Sequence, residues 1–79
     1  METLKNVSVF KNGKELKTFE CTRCEITGRD VRFHGVPQKT GGNLTLFYNG
    51  GIWYDVDFIN RTAIVKPETE PGIEIVVIW

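Results

Sequence analysis

Two cysteines three residues apart, in Cys21-Thr22-Arg23-Cys24, are the first residues of this 79-residue chain whose types and spacing could do chemistry. Two thiolates at that spacing can hold one tetrahedral zinc or take part in disulfide exchange. Structural zinc takes four ligands, and His34 is the one further soft donor in the chain. The weak metal set Cys21, Cys24 and His34 is therefore completed only by a carboxylate or by a second subunit, which makes a zinc-linked dimer through Cys21 and Cys24 one reading of the motif. Redox enzymes place the same motif at a helix amino terminus in a βαβ setting, and no such helix is visible here. Buried or turn-side thiols, with no cofactor, are the expectation.

Hydrolytic chemistry has little to work with. The chain holds one His and one Ser, and Ser8 lies in mid-strand outside any nucleophile-elbow pattern. Asp55 and Asp57 alternate along a strand and so share a face about 7 Å apart, a spacing compatible with general acid and base work. Paired carboxylates on a solvated β face are ordinarily structural, and the chain reads as non-catalytic. Phe47 and Trp53 are more informative. With strands on either side of Asn49-Gly50-Gly51 paired as a hairpin, the two rings lie side by side on the outer face, flanked by Thr45, Asn43, Asp55 and Asp57. Two large aromatics on a polar face are either covered by another layer or available for binding.

The elements that must position these residues are strands. Asn12-Gly13, Thr27-Gly28, Gly41-Gly42-Asn43, Asn49-Gly50-Gly51, Asn60-Arg61 and Pro71-Gly72 punctuate seven short apolar stretches that show no helical period. The spacing predicts a single all-β domain over residues 1–79: a small SH3-like barrel of five to seven antiparallel strands, or else an OB-like barrel or small β-sandwich.

Registers follow from the turns. Asn12-Gly13 suits a type I′ turn that sets Val9 against Leu16 and Val7 against Thr18, with a bulge or bend beyond Leu16, where the apolar parity slips to Phe19 and Cys21. A type II′ turn at Gly28-Arg29 sets Ile26 against Val31, Cys24 against Phe33 and Glu25 against Arg32, which points Cys24 inward and places Arg23 opposite His34 outside. The third hairpin, closed by Asn49-Gly50-Gly51 with a G1 bulge, turns Leu44, Leu46, Tyr48, Ile52, Tyr54 and Val56 inward. The register around Asn60-Arg61 stays open between two-residue and three-residue loops, with both Ile64 and Val65 wanting burial. Ile73 to Trp79 is apolar on both faces, as a central strand requires.

Composition bounds the function. Hydrophobic residues make up 41% and charged residues 25%, which excludes disordered and acidic-tail classes. A chain this short hides only roughly 60 to 65% of its unfolded surface, so few apolar residues can be idle. The formal charge is zero, although residues 1 to 40 carry a net +3 and residues 41 to 79 a net −3. Overall neutrality disfavours non-specific nucleic-acid binding. A nucleic-acid-binding barrel would have to use Lys11, Lys14, Lys17, Arg23, Arg29 and Arg32. No leader is visible at the amino terminus, and no stretch reaches the roughly 20 apolar residues of a membrane span, so the expected location is cytoplasmic.

The functional expectation is a non-catalytic module that recognises another protein through Phe47, Trp53, Thr45, Asp55 and Asp57, or that self-associates through the same patch or a free strand edge.

Overall fold

The computed structural model describes residues 4–79; Met1 to Thr3, the start of the segment read for a leader, lie outside the described residues. Eight strands follow in order: β1 (Lys5–Lys11), β2 (Lys14–Cys21), β3 (Arg23–Ile26), β4 (Asp30–Pro37), β5 (Asn43–Asn49), β6 (Ile52–Asp57), β7 (Thr62–Pro67) and β8 (Ile73–Ile78). They form two antiparallel sheets, one ordered β2-β1-β8-β7-β6 and the other β3-β4-β5. No helix among the described residues is long and apolar enough to cross a membrane.

The predicted strand count of five to seven is exceeded because one long segment is bent into two strands at Thr22. Its backbone N–H (2.9 Å) and its hydroxyl (3.2 Å) both donate to the His34 carbonyl, which turns the chain out of the ladder with β1 and into the ladder with β4. The two sheets are thus one strip folded over at Thr22, with β5 and β6 as its ends. No ladder joins β5 to β6 among the described residues, so the expected closed barrel is not formed.

One core lies between the sheets. Val7 and Val9 of β1, Ala63 and Val65 of β7, and Ile75 and Val77 of β8 face Val31 and Phe33 of β4, and all are almost fully buried. Burying each of the Val, Ile and Phe side chains among them contributes about 1.5–3 kcal/mol, the main favourable term in so small a domain. Phe19 meets Phe33 edge-to-face at 5.4 Å between centroids. As its doubly apolar sequence predicts, β8 is the middle strand of the five-stranded sheet, hydrogen-bonded to β1 and β7.

The first hairpin departs from its predicted register. Asn12 (φ 50°) and Gly13 (φ 83°) supply the two left-handed residues of a type I′ turn, but Val9 pairs with Lys17 and Val7 with Phe19. The bulge falls at Leu16 itself, between the Glu15 and Lys17 pairs, and not beyond it as expected. Leu16 is expelled to 58% exposure, and Phe19 and Cys21 gain the core side.

The second hairpin has the predicted pairs, Arg23 with His34 through Ile26 with Val31. Its turn is not type II′, because Gly28 keeps a φ outside the left-handed region. The Thr27 hydroxyl accepts from the N–H groups of Arg29 (3.1 Å) and Asp30 (3.0 Å) instead, so the side chain closes the turn.

The third hairpin is not formed. β5 pairs with β4, setting Tyr48 against Val31 and Leu46 against Phe33, while β6 pairs with β7, setting Tyr54 against Val65 and Val56 against Ala63. The reason lies at the corner, where Gly50 (φ 94°) and Gly51 (φ 106°) are both left-handed. The N–H groups of Gly51 and Ile52 donate to Arg29 and Gly28 in the neighbouring turn, and the Gly51 carbonyl accepts from Glu68. Bonds that would close a hairpin are spent on tying the corner to other loops.

Candidate functional site

The outer face of β3-β4-β5 carries the first constellation. The Glu25 carboxylate bonds to His34 Nε2, and His34 Nδ1 shares a 3.3 Å hydrogen bond with the Thr45 hydroxyl. Carboxylate, imidazole and hydroxyl thus run in series across three adjacent strands. Arg23 also binds Glu25 (2.7 Å), and Arg32 binds Asp30 (3.2 Å). The Glu25 carboxyl is held below its ordinary value of 4.5, first by the hydrogen bond from His34 and then by the charge of Arg23. Phe47, 60% exposed, lies beside this series in a shallow depression of about 370 Å³ with Arg32, His34 and Thr45. Cross-strand diagonals are within reach of long side chains, so the Glu25–His34 contact was implicit in the Arg23–His34 and Glu25–Arg32 pairs. The Thr45 contact was not, because it needs the β4–β5 pairing.

Trp53 belongs to the other sheet. It is 50% exposed, pairs across to Lys66, and carries that ammonium over its ring at 5.1 Å. The expected side-by-side patch of Phe47 and Trp53 is therefore absent. Each ring points outward on its own sheet, as predicted, but the strands that would have joined them are separated. Asp55 lies exposed beside Trp53 on β6, opposite Ile64. Asp57 is committed to its own turn: Oδ1 accepts from the N–H groups of Ile59 (3.0 Å) and Asn60 (3.1 Å), and Oδ2 from the Asn60 amide (2.7 Å). These bonds, those from Asn60 foremost, hold its carboxyl below the ordinary 3.8.

That turn makes the most exposed apolar feature of the described residues. The loop from Phe58 to Arg61 has four residues, not two or three, and Arg61 is left-handed (φ 55°). Ala63 and Val65 face the core while Ile64 faces out, and Phe58 (79% exposed) and Ile59 (92%) project at the tip. Phe58 meets Trp79 edge-to-face at 6.4 Å, and Trp79 is fixed by its N–H bond to the Arg61 carbonyl (3.1 Å). Below the two rings a cleft of about 300 Å³ opens between the sheets, with apolar walls of Ile26, Val56, Val77 and Cys24 and with Lys5 as its one charged wall residue. Sequence reasoning missed this cleft, because Phe58 and Ile59 lie between two strands and carry no alternation to assign them a face.

Comparison with family models, with curated proteins and with solved structures finds no match to this chain.

The cysteines are brought to the core side and the histidine is not. Cys21 is buried and Cys24 half-buried on the inner side, both as free thiols, whereas His34 faces outward among Glu25 and Thr45. The β3–β4 ladder lies between the inward thiols and the outward imidazole, so the weak candidate donors Cys21, Cys24 and His34 do not converge. No group of three metal-binding side chains is found among the described residues. Burial pushes the Cys24 thiol up to about 12, with the neighbouring Cys21 adding to the shift, and burial likewise raises Cys21. Neither thiol is poised as a thiolate. Of the cations proposed for nucleic acid, Arg23 and Arg32 are paired with carboxylates and Lys17 lies over the Phe19 ring at 5.9 Å.

Proposed function

We propose that this chain is a non-catalytic protein-recognition module, a rolled β-sheet of SH3-like size left open along one seam, whose docking site is the cleft beneath Phe58 and Trp79. The observation that carries this reading is the exposure of Phe58 at the mouth of an apolar cleft, with Ile59 exposed next to it on the same turn. Interface hot spots are built this way, from aromatic anchors around a pocket that a partner's side chain can fill. Lys5 on the wall and Arg61 on the turn are the cations at hand, so the matching partner presents one large apolar side chain with a carboxylate close by. In this reading the Asp57 hydrogen bonds shape the turn that carries the tip, and Trp53, under the Lys66 ammonium on the other side of the strand pair, takes no part in the docking.

The test is capture of partners from the native host by wild type and by Phe58→Ser, Ile59→Ser and Trp53→Ala. The two tip variants should lose the partner and Trp53→Ala should keep it. Recovery should also survive raised salt, since an apolar contact is screened little and a phosphate contact strongly. Equal recovery by all four proteins would remove the cleft from consideration.

A further inference from the structure

The free edge of β5 is unlike every other edge of the molecule. β2 carries Lys14, Glu15, Lys17 and Glu20, β3 carries Arg23 and Glu25, and β6 carries Asp55 and Asp57, but Asn43-Leu44-Thr45-Leu46-Phe47-Tyr48-Asn49 has no charge and no proline. Charges and prolines are the usual means by which an edge strand is kept from pairing with another chain. β5 is bonded to β4 on one side only, and Leu44 and Phe47 on it are exposed.

Its sequence is also self-complementary about Leu46. Laid antiparallel on a copy of itself with Leu46 opposite Leu46, the strand sets Leu44 against Tyr48 on the inner row, Thr45 against Phe47 on the outer row, and Asn43 against Asn49 at both ends. Moving the centre to Thr45 or Phe47 shortens the ladder and sets Phe47 or Thr45 against an asparagine. A two-fold dimer needs this property, because one patch must match itself. At one end the Asn49 carbonyl already accepts from the Thr69 hydroxyl (3.2 Å), which stops the ladder there.

We infer that β5 is a homodimerisation edge: two copies of this chain pair antiparallel through Asn43–Asn49 about Leu46, joining two three-stranded sheets into one of six strands. The cleft under Phe58 takes no part, and the two sites can be separated by mutation. β6 is less suited, since Asp55 and Asp57 of both copies would bring four carboxylates onto one row of a paired ladder.

The outer-row pairing of Thr45 with the partner copy's Phe47 gives a test that does not disturb the core. Thr45→Lys with Phe47→Lys sets like charges opposite each other twice, and Thr45→Lys with Phe47→Glu sets opposite charges there instead. Sedimentation equilibrium should show wild type rising toward twice the monomer mass with concentration, the first double variant staying monomeric, and the second regaining the dimer. Phe58→Ser should dimerise as wild type does, whatever the fate of its captured partner. All variants should keep the wild-type far-ultraviolet spectrum. A wild-type chain that stays monomeric at every concentration, or two double variants of equal mass, would overturn the inference.

Discussion

Asp57 shows what a single exposed side chain does here. Its three hydrogen bonds to residues 59 and 60 fold the turn that lifts Phe58 and Ile59 into solvent. Because its carboxyl is held below the ordinary value, the ionised form is favoured by the native state. That contribution is complete above the unfolded-chain value near 3.8 and is lost as pH falls through the depressed native one. Asp57→Ala should thus melt below wild type at neutral pH and converge with it in strong acid, as read by circular dichroism. Leu16 is the opposite case. As the extra residue of the bulge it buries little, and Leu16→Thr should change stability by no more than about 0.5 kcal/mol, whereas Phe33→Ala in the core should cost about 3–5 kcal/mol in urea titration. The thiols belong to this scale as well: with both shifted upward by burial, Cys21 and Cys24 should react slowly with a disulfide reagent at neutral pH and rapidly once the chain is unfolded.

Strand faces were legible in the residues and strand partners were not. Leu46, Tyr48, Ile52 and Val56 turn inward and Phe47 and Trp53 outward as their alternation requires, because parity is a local property of a pleated chain, but Leu44 and Tyr54, expected inward with them, are left exposed on the two strands that end the strip. Whether β5 meets β6 or β4 is decided elsewhere, by the corner at Gly50 and Gly51 being tied to the Gly28-Arg29 turn and to Glu68. The pattern of β5 is equally satisfied by Val31 and Phe33 on β4 or by Ile52 and Tyr54 on β6. The cleft was illegible for the same reason: it forms only where a four-residue turn, the end of β8 and β3 of the other sheet come together. Gly35 marks a further element that the pattern hid. It interrupts β4 with a φ of 71° between the Phe33 and Val36 pairs, against the Thr22 bend. A Cβ there would collide with the Thr22 hydroxyl, whose bond to the His34 carbonyl holds the strip folded over. Gly35→Ala should therefore cost more than about 1 kcal/mol in denaturant titration.

At the scale of the whole molecule, the strip has a strong middle and two weak ends. β1, β8 and β7 are bonded on both sides and carry most of the fully buried residues, while β5 and β6 end their sheets and face an unpaired seam. Opening the middle exposes the common core and so amounts to global unfolding, but fraying β5 gives up only its ladder with β4 and a few half-buried contacts. Amide hydrogen exchange should follow that division, with β8 protected to the limit of global stability and β5 exchanging by local opening. The two cases separate further with concentration. An edge that pairs with a second copy gains bonds to its outward N–H groups, so β5 protection should rise with protein concentration while β8 protection gains only the stabilisation that association gives the whole fold. In the Thr45→Lys, Phe47→Lys variant the rise should vanish from β5 and leave β8 as protected as in a dilute wild-type sample. A β5 whose exchange ignores both concentration and that substitution would mean that the seam is simply where this small sheet stops.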